Sequence, residues 1–211
     1  YFYDKNIRGV FEKASYAQDN TEGIIRKGRF YREGNSVELA IDKDIQAIAE
    51  DELKKGVLKS RAKSGFVIVA NPETGEILAI SSYPTFDPNK YNEYGPSQRK
   101  NRAVLDIYEP GSVFKIFVVS AALEEKLISP STSIYCENGR YRVHDRVFKE
   151  AHMKSYRTLT VKDVIKYSSN IGSAKIAEKV GKKKLKEYLN DFGFGKKTGL
   201  GFAGESKGIV P

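Results

Sequence analysis

Tyr108-Glu109-Pro110-Gly111-Ser112-Val113-Phe114-Lys115 decides how this chain is read, because it sets a serine and a lysine three positions apart where a helix begins. On an α-helix, at ~100° and ~1.5 Å per residue, the two side chains lie ~60° apart in azimuth and ~4.5 Å apart along the axis, on a shared face. Glu109-Pro110-Gly111 reads as a turn, and Phe114, Phe117, Val118, Ala121 and Ala122 follow at helical spacing. Ser112 is therefore expected at or near the helix start. There the positive pole of the helix dipole favours an ionised oxygen and helps a neighbouring amine lose its proton. A bare Ser-x-x-Lys is more often an N-cap followed by a surface lysine, so context has to decide.

That context lies downstream, in Tyr167-Ser168-Ser169-Asn170-Ile171-Gly172. Thr160 followed by Asp163 reads as a capping box opening a helix striped by Val161, Val164 and Ile165 and ending near Ser168. A second periodic run, Ile171, Ala174, Ile176, Ala177 and Val180, stops at Gly181. Residues 168–170 thus occupy a junction between two helices. A hydroxyl and a carboxamide two residues apart on such a junction can point into one cleft, one relaying a proton and the other fixing a substrate amide. Alone, the junction would read as capping residues.

Taken together, Asn101-Arg102-Ala103, residues 108–115 and Ser168-Ser169-Asn170 resemble the transpeptidase domain of class B penicillin-binding proteins, the enzymes that cross-link peptidoglycan. Leu39-Ala40-Ile41-Asp42 and Ala70-Asn71-Pro72-Glu73-Thr74-Gly75-Glu76-Ile77-Leu78-Ala79 fit the same family, and the likeness runs from about Ser36 to Pro211. It implies a mixed α/β (α+β) penicillin-binding and β-lactamase-like fold, an antiparallel sheet flanked by helices, with residues 36–211 its N-terminal part and residues 1–35 the end of a linker or pedestal. Tyr3-Asp4-Lys5-Asn6-Ile7-Arg8-Gly9 resembles the tail of that pedestal. Ser-x-Asn at the second motif is similar to cell-division transpeptidases.

The resemblance also implies roles. Ser112 would be the nucleophile, Lys115 its base, Ser168 the proton relay and Asn170 the holder of the donor peptide's amide, so that Ser168 and Asn170 are also substrate-binding. Stem peptides would be substrates and β-lactams acylating mimics, with other cell-wall synthesis and division membrane proteins as partners. No cofactor and no metal is implied. Location would be the bacterial inner membrane, with the catalytic domain on the extracytoplasmic or periplasmic side and the anchor outside this chain. A serine β-lactamase, a non-enzymatic β-lactam sensor and a basic binding module are the alternatives. No Glu-x-Glu-Leu-Asn-like loop accompanies the motifs, and Glu187-Tyr188-Leu189-Asn190 has the wrong spacing for one.

The family's third motif, Lys-Thr/Ser-Gly, lies on a central strand. Lys197-Thr198-Gly199 is present, but within the glycine-rich stretch Asp191-Phe192-Gly193-Phe194-Gly195-Lys196 to Phe202, which lacks the alternation of a strand. It reads as a decoy, and the chain is expected to stop before the last strands of the domain.

Composition agrees with one globular unit rather than several domains. At 211 residues and 40% hydrophobic, a sizeable core is possible, and no apolar run approaches the ~18 residues of a membrane span. The net charge of +9 suits anionic headgroups or wall polymers; the basic residues are scattered with no recognition motif, which argues against nucleic acid. One cysteine excludes an internal disulfide. Cys136, His144 and His152, with Asp145 nearby, are ligand types at wide spacing, and ordinary loop residues are the better reading. Elsewhere, residues 37–41 look extended, Asp42 caps a helix striped by Ile45, Ile48, Ala49 and Leu53 and ending near Gly56, and residues 66–70 and 77–80 form a hairpin about Asn71-Pro72-Glu73-Thr74-Gly75. Residues 83–98 form a loop, and residues 129–157 a polar excursion with a turn at Asn138-Gly139.

Overall fold

The structure, a computed structural model, describes residues 7–13, 29–143, 145–202 and 204–210; the pedestal-like residues 3–6 and His144 lie outside that set. Contacts divide the chain into two units, residues 1–106 with 199–206, and residues 107–198 with 207–211.

In the first unit β1 (Val10–Lys13) pairs antiparallel with β2 (Arg29–Arg32). Asp42 opens α1 (Lys43–Lys59), its carboxylate accepting from the Asp44 and Ile45 amides at 2.9 Å each. The helix runs three residues past the expected stop at Gly56. One interior glycine costs only ~1 kcal/mol, and Val57 beyond it is buried. Ile48, expected on the buried stripe, is 64% exposed. The hairpin is present as β3 (Gly65–Ala70) and β4 (Ile77–Tyr83), with Gly75 at φ 77° in its turn. Residues 37–41 form no strand; Asp42 N donates to Leu78 O at 2.9 Å instead. Gln46 closes the joint by accepting from Ile80 N at 2.9 Å and donating to Ile80 O at 3.1 Å. The short α2 (Arg102–Leu105) follows, with Arg102 N bonded to Ser82 Oγ at 3.0 Å.

The second unit holds the larger core. A 3₁₀ turn (Gly111–Phe114) leads into α3 (Lys115–Glu124), so Ser112 precedes the α-helix rather than starting it. The expected excursion contains unforeseen strands: β5 (Ser133–Tyr135), β6 (Arg140–Val143), β7 (Arg146–Lys149) and β8 (Thr158–Thr160), paired antiparallel as β5 with β8 and β6 with β7. The Asn138-Gly139 turn is there, with φ of 50° and 86°. All described ladders are antiparallel, as expected, but none exceeds two strands.

Three helices complete the unit: α4 (Val161–Lys166), α5 (Asn170–Val180) and α6 (Lys182–Asp191). Thr160 caps α4, accepting from Asp163 N at 3.2 Å and donating to the Asp163 carboxylate at 2.6 Å. Ile165 faces outward, and α6 was not foreseen because its lysine-rich first turn opposes the helix dipole and lacks a side-chain cap. Leu189 of α6 is buried and Leu185 and Tyr188 pack on the core of Val118, Ala122, Ile134, Val164, Ile171 and Ile176. The glycine-rich stretch contributes Phe192 and Phe194, whose rings meet Phe117 edge-on at 5.0 and 4.9 Å. Lys197–Gly199 forms no strand.

Helices α4 and α5 touch at Gly172, where an added Cβ would lie 2.5 Å from Val164 Cγ2 and 3.0 Å from Ser169 Oγ. Gly172→Ala is expected to destabilise the fold by ~1–3 kcal/mol through overpacking, read as a lowered midpoint in chemical denaturation.

Candidate active site

The 3₁₀ turn sharpens the relation between Ser112 and Lys115. In such a turn residues three apart eclipse, so Lys115 stands over Ser112 rather than ~60° around the axis. Gly111, at φ 60°, lets the chain enter the turn directly after Pro110. Lys115 Nζ lies 3.2 Å from Ser112 Oγ.

The junction between α4 and α5 closes as a Schellman motif. Ser168 N donates to Ile165 O at 3.1 Å and Ser169 N to Val164 O at 2.9 Å, with Ser168 left-handed at φ 55°. Glycine usually takes this position; a serine costs of order 1 kcal/mol. Lys115 Nζ donates to the Ser168 carbonyl at 2.6 Å, lies 3.0 Å from Ser168 Oγ and donates to Asn170 Oδ1 at 2.7 Å. The structure thus brings all four expected residues, Ser112, Lys115, Ser168 and Asn170, onto one amine.

Donor counting constrains that amine. An ammonium has three N–H groups and no lone pair, whereas a neutral amine has two N–H groups and one lone pair. Two of the four neighbouring oxygens, the Ser168 carbonyl and Asn170 Oδ1, can only accept. In the neutral form they take both N–H groups, which leaves the lone pair for a hydroxyl proton of Ser112 or Ser168. Partial burial holds the Lys115 amine below the ordinary lysine range, and the Glu150 carboxylate pulls part of the way back.

Glu150 belongs to neither motif. It sits just past β7 and is 7% exposed. Ser169 Oγ donates to its Oε1 at 2.6 Å and Asn170 N to its Oε2 at 2.7 Å, while Asn170 Nδ2 donates to Lys149 O at 2.9 Å. Ser169, also unassigned by sequence, is fully buried and caps α5 by accepting from Gly172 N at 2.9 Å. An acid in a basic, polar stretch carries no periodic signal of burial, so no sequence feature marked Glu150. Cys136 is buried beside this network; its sulfur lies 3.8 Å from Ser169 Oγ, and burial pushes the thiol up. His152 lies in a separate 3₁₀ turn (Ala151–Met153) at φ 55°.

The chain belongs to the penicillin binding protein transpeptidase domain family, whose model matches residues 65–211. It is 35% identical to the probable peptidoglycan D,D-transpeptidase PenA of Neisseria flavescens over 98% of this chain and 52% of that protein. It is 36% identical to stage V sporulation protein D of Bacillus subtilis (strain 168), over 99% of this chain and 33% of that one. Among solved structures it is similar to the apo transpeptidase (TP) domain of Burkholderia pseudomallei penicillin-binding protein 3, with TM-score 0.72, 33% identity, and coverage of 82% of this chain and 47% of that one. The chain therefore spans between about a third and about half of the curated relatives it matches.

The strained serine yields a test. Ser168→Gly should keep the fold, with stability unchanged or raised by up to ~1 kcal/mol, whereas the β-branched Ser168→Val should lose more than that. Thermal melts of the two variants against wild type check the order.

Proposed function

We propose that the protein to which this chain belongs is a peptidoglycan D,D-transpeptidase acting through a serine acyl-enzyme. The observation that carries the reading is the desolvated Lys115 amine placed among Ser112 Oγ, Ser168 Oγ and two obligate acceptors. In the neutral form Lys115 takes the Ser112 proton as Oγ attacks the carbonyl between the two D-alanines of a stem peptide. Backbone N–H groups, that of Ser112 among them, stabilise the oxyanion, each worth ~3 kcal/mol. The C–N bond then breaks, the proton returns from Lys115 through Ser168 to the departing D-alanine, and an ester remains on Ser112. An amine of a neighbouring stem attacks that ester, gives up its proton to the same relay and frees Ser112. Asn170 holds Lys115 with its oxygen and has one N–H left for the donor peptide.

A hydrolytic reading is less well supported. Glu150, whose charge acts on Lys115, has both oxygens occupied by Ser169 and Asn170 and is not placed to activate water. β-Lactams, as peptide mimics, acylate Ser112 and leave it slowly. Within the family, Ser-x-Asn favours a cell-division role, with cell-wall synthesis and division membrane proteins as partners and the domain on the extracytoplasmic side of the inner membrane. No described helix is long and apolar enough to cross a membrane. Residues 1–35 end a linker or pedestal, and residues 36–211 form part of the transpeptidase domain.

Incubating the full-length protein with a penicillin should add one acyl group to its intact mass, and Ser112→Ala should abolish the gain; an unchanged wild-type mass refutes the proposal. Because the amine must be neutral to act as base, the acylation rate should rise with pH along a limb lying below the ~10.4 of free lysine. Lys115→Arg, which stays protonated, should lose acylation while its circular dichroism is kept.

A second expectation concerns the decoy. Lys197 is exposed and outside any strand, so Lys197→Ala in the full-length protein should leave penicillin acylation within about twofold of wild type. A loss of ~100-fold would place it in the site.

A further inference from the structure

The end of β7 grips the second motif from two consecutive residues. Lys149 offers its carbonyl to the Asn170 side-chain amide, and Glu150 offers both carboxylate oxygens, one to the Ser169 hydroxyl and one to the Asn170 backbone N–H. Three donors of a two-residue segment are thereby fixed. An amide whose nitrogen is held at Lys149 can aim its oxygen in only one direction, and that oxygen meets Lys115 Nζ at 2.7 Å. The Ser169 hydroxyl is locked as well, since it donates to Glu150 while accepting from Gly172 N. The side chains in hydrogen-bond reach of Lys115 Nζ (Ser112, Ser168 and Asn170) carry no formal charge.

We propose that Glu150 is a positioning residue for the Ser112–Lys115 pair. Its buried carboxylate fixes the 168–170 junction, and with it the two acceptor oxygens that hold Lys115. It also supplies the negative charge that answers Lys115 once the lysine has taken the Ser112 proton. The proposal rests on the acyl-enzyme reading above. The alternative is that Glu150 only caps α5, as an acid near a helix N-terminus does.

The two roles differ in what they do to the lysine. Burial disfavours the ammonium and Glu150 favours it, so the protonation midpoint of Lys115 is a balance between them. Removing the Glu150 charge leaves burial unopposed, and the midpoint falls. Of the other titratable groups, the Cys136 thiol, 3.8 Å from Ser169 Oγ, feels both the Glu150 charge and that of Lys175, which pairs with Glu137 at 2.5 Å, while Lys149 and His152 flank Glu150 in the chain. None of these is among the hydrogen-bond partners of Lys115 Nζ. Loss of a helix cap alone would lower the melting temperature and leave the midpoint in place.

The experiment uses the full-length protein as wild type, Glu150→Gln and Glu150→Asp. It reads penicillin acylation against pH and, independently of activity, the titration of Lys115 by carbon-13 NMR of labelled lysine. For Glu150→Gln the maximal acylation rate should fall at least tenfold, while the acid limb and the NMR midpoint both move to lower pH. Glu150→Asp keeps the charge on a shorter arm; it should recover part of the rate, with a midpoint near wild type. A Glu150→Gln protein with the wild-type rate, or with an unmoved Lys115 midpoint, overturns the proposal. If Glu150→Gln does not fold, Glu150→Asp decides alone: a severalfold loss at an unmoved midpoint supports positioning, and a wild-type rate refutes it. If the wild type is not acylated, the transpeptidase reading fails, and the NMR shift in Glu150→Gln still decides whether the carboxylate governs Lys115.

Discussion

One partly buried amine, that of Lys115, ties together distant segments of the second unit. Moving a lysine out of water is costly unless its N–H groups find partners, and Lys115 finds them in the Ser168 carbonyl and the Asn170 amide oxygen. Those two oxygens come from a helix junction 53 and 55 residues away in sequence. The core that joins the segments is therefore a condition for the site: Val118 and Ala122 of α3 pack with Val164 of α4 and Ile171 of α5. The rings of Phe114, Phe117, Phe192 and Phe194 buttress the turn that carries Ser112. The glycine-rich stretch that resembles a third motif is in this light a source of aromatic packing, its glycines at positive φ letting the chain bend so that two rings reach α3.

Local chemistry and packing conflict at Ser168. A Schellman motif asks for a residue without a Cβ at its left-handed position, yet serine stands there with its hydroxyl 3.0 Å from Lys115. The left-handed backbone belongs to the same turn that presents the Ser168 carbonyl to the amine. Such strain is tolerated where the surroundings over-determine it, and here the Ser168 and Ser169 amides, the Ser169 cap and the Glu150 carboxylate together do so.

Much of this was legible in the residues. Helix starts at Asp42 and Thr160 were readable because their side chains satisfy free amides in a recognisable spacing, and the hairpin because Asn71-Pro72 and Gly75 have fixed turn preferences. That Ser112, Lys115, Ser168 and Asn170 come together in space was readable because two short patterns in one order are far more specific than either alone. The strands between residues 133 and 160 were not, since they are three or four residues long and their polar side chains hide any alternation. Helix α6 was missed because its burial is decided by Leu185, Tyr188 and Leu189 meeting a distant core, against an unfavourable first turn. Glu150 was beyond reach because its burial depends on long-range closure, which no local pattern encodes.

The wide sequence separation of the lysine from its oxygens has a consequence in time. Ser112 and Lys115 meet as soon as one turn of chain forms, a contact only three residues long. Until α5 docks, however, Lys115 lacks the Ser168 carbonyl and the Asn170 amide oxygen, which lie 53 and 55 residues away in sequence. Under the acyl-enzyme proposal, acylation of Ser112 therefore also reports whether this long-range contact between α3 and the 168–170 junction has formed.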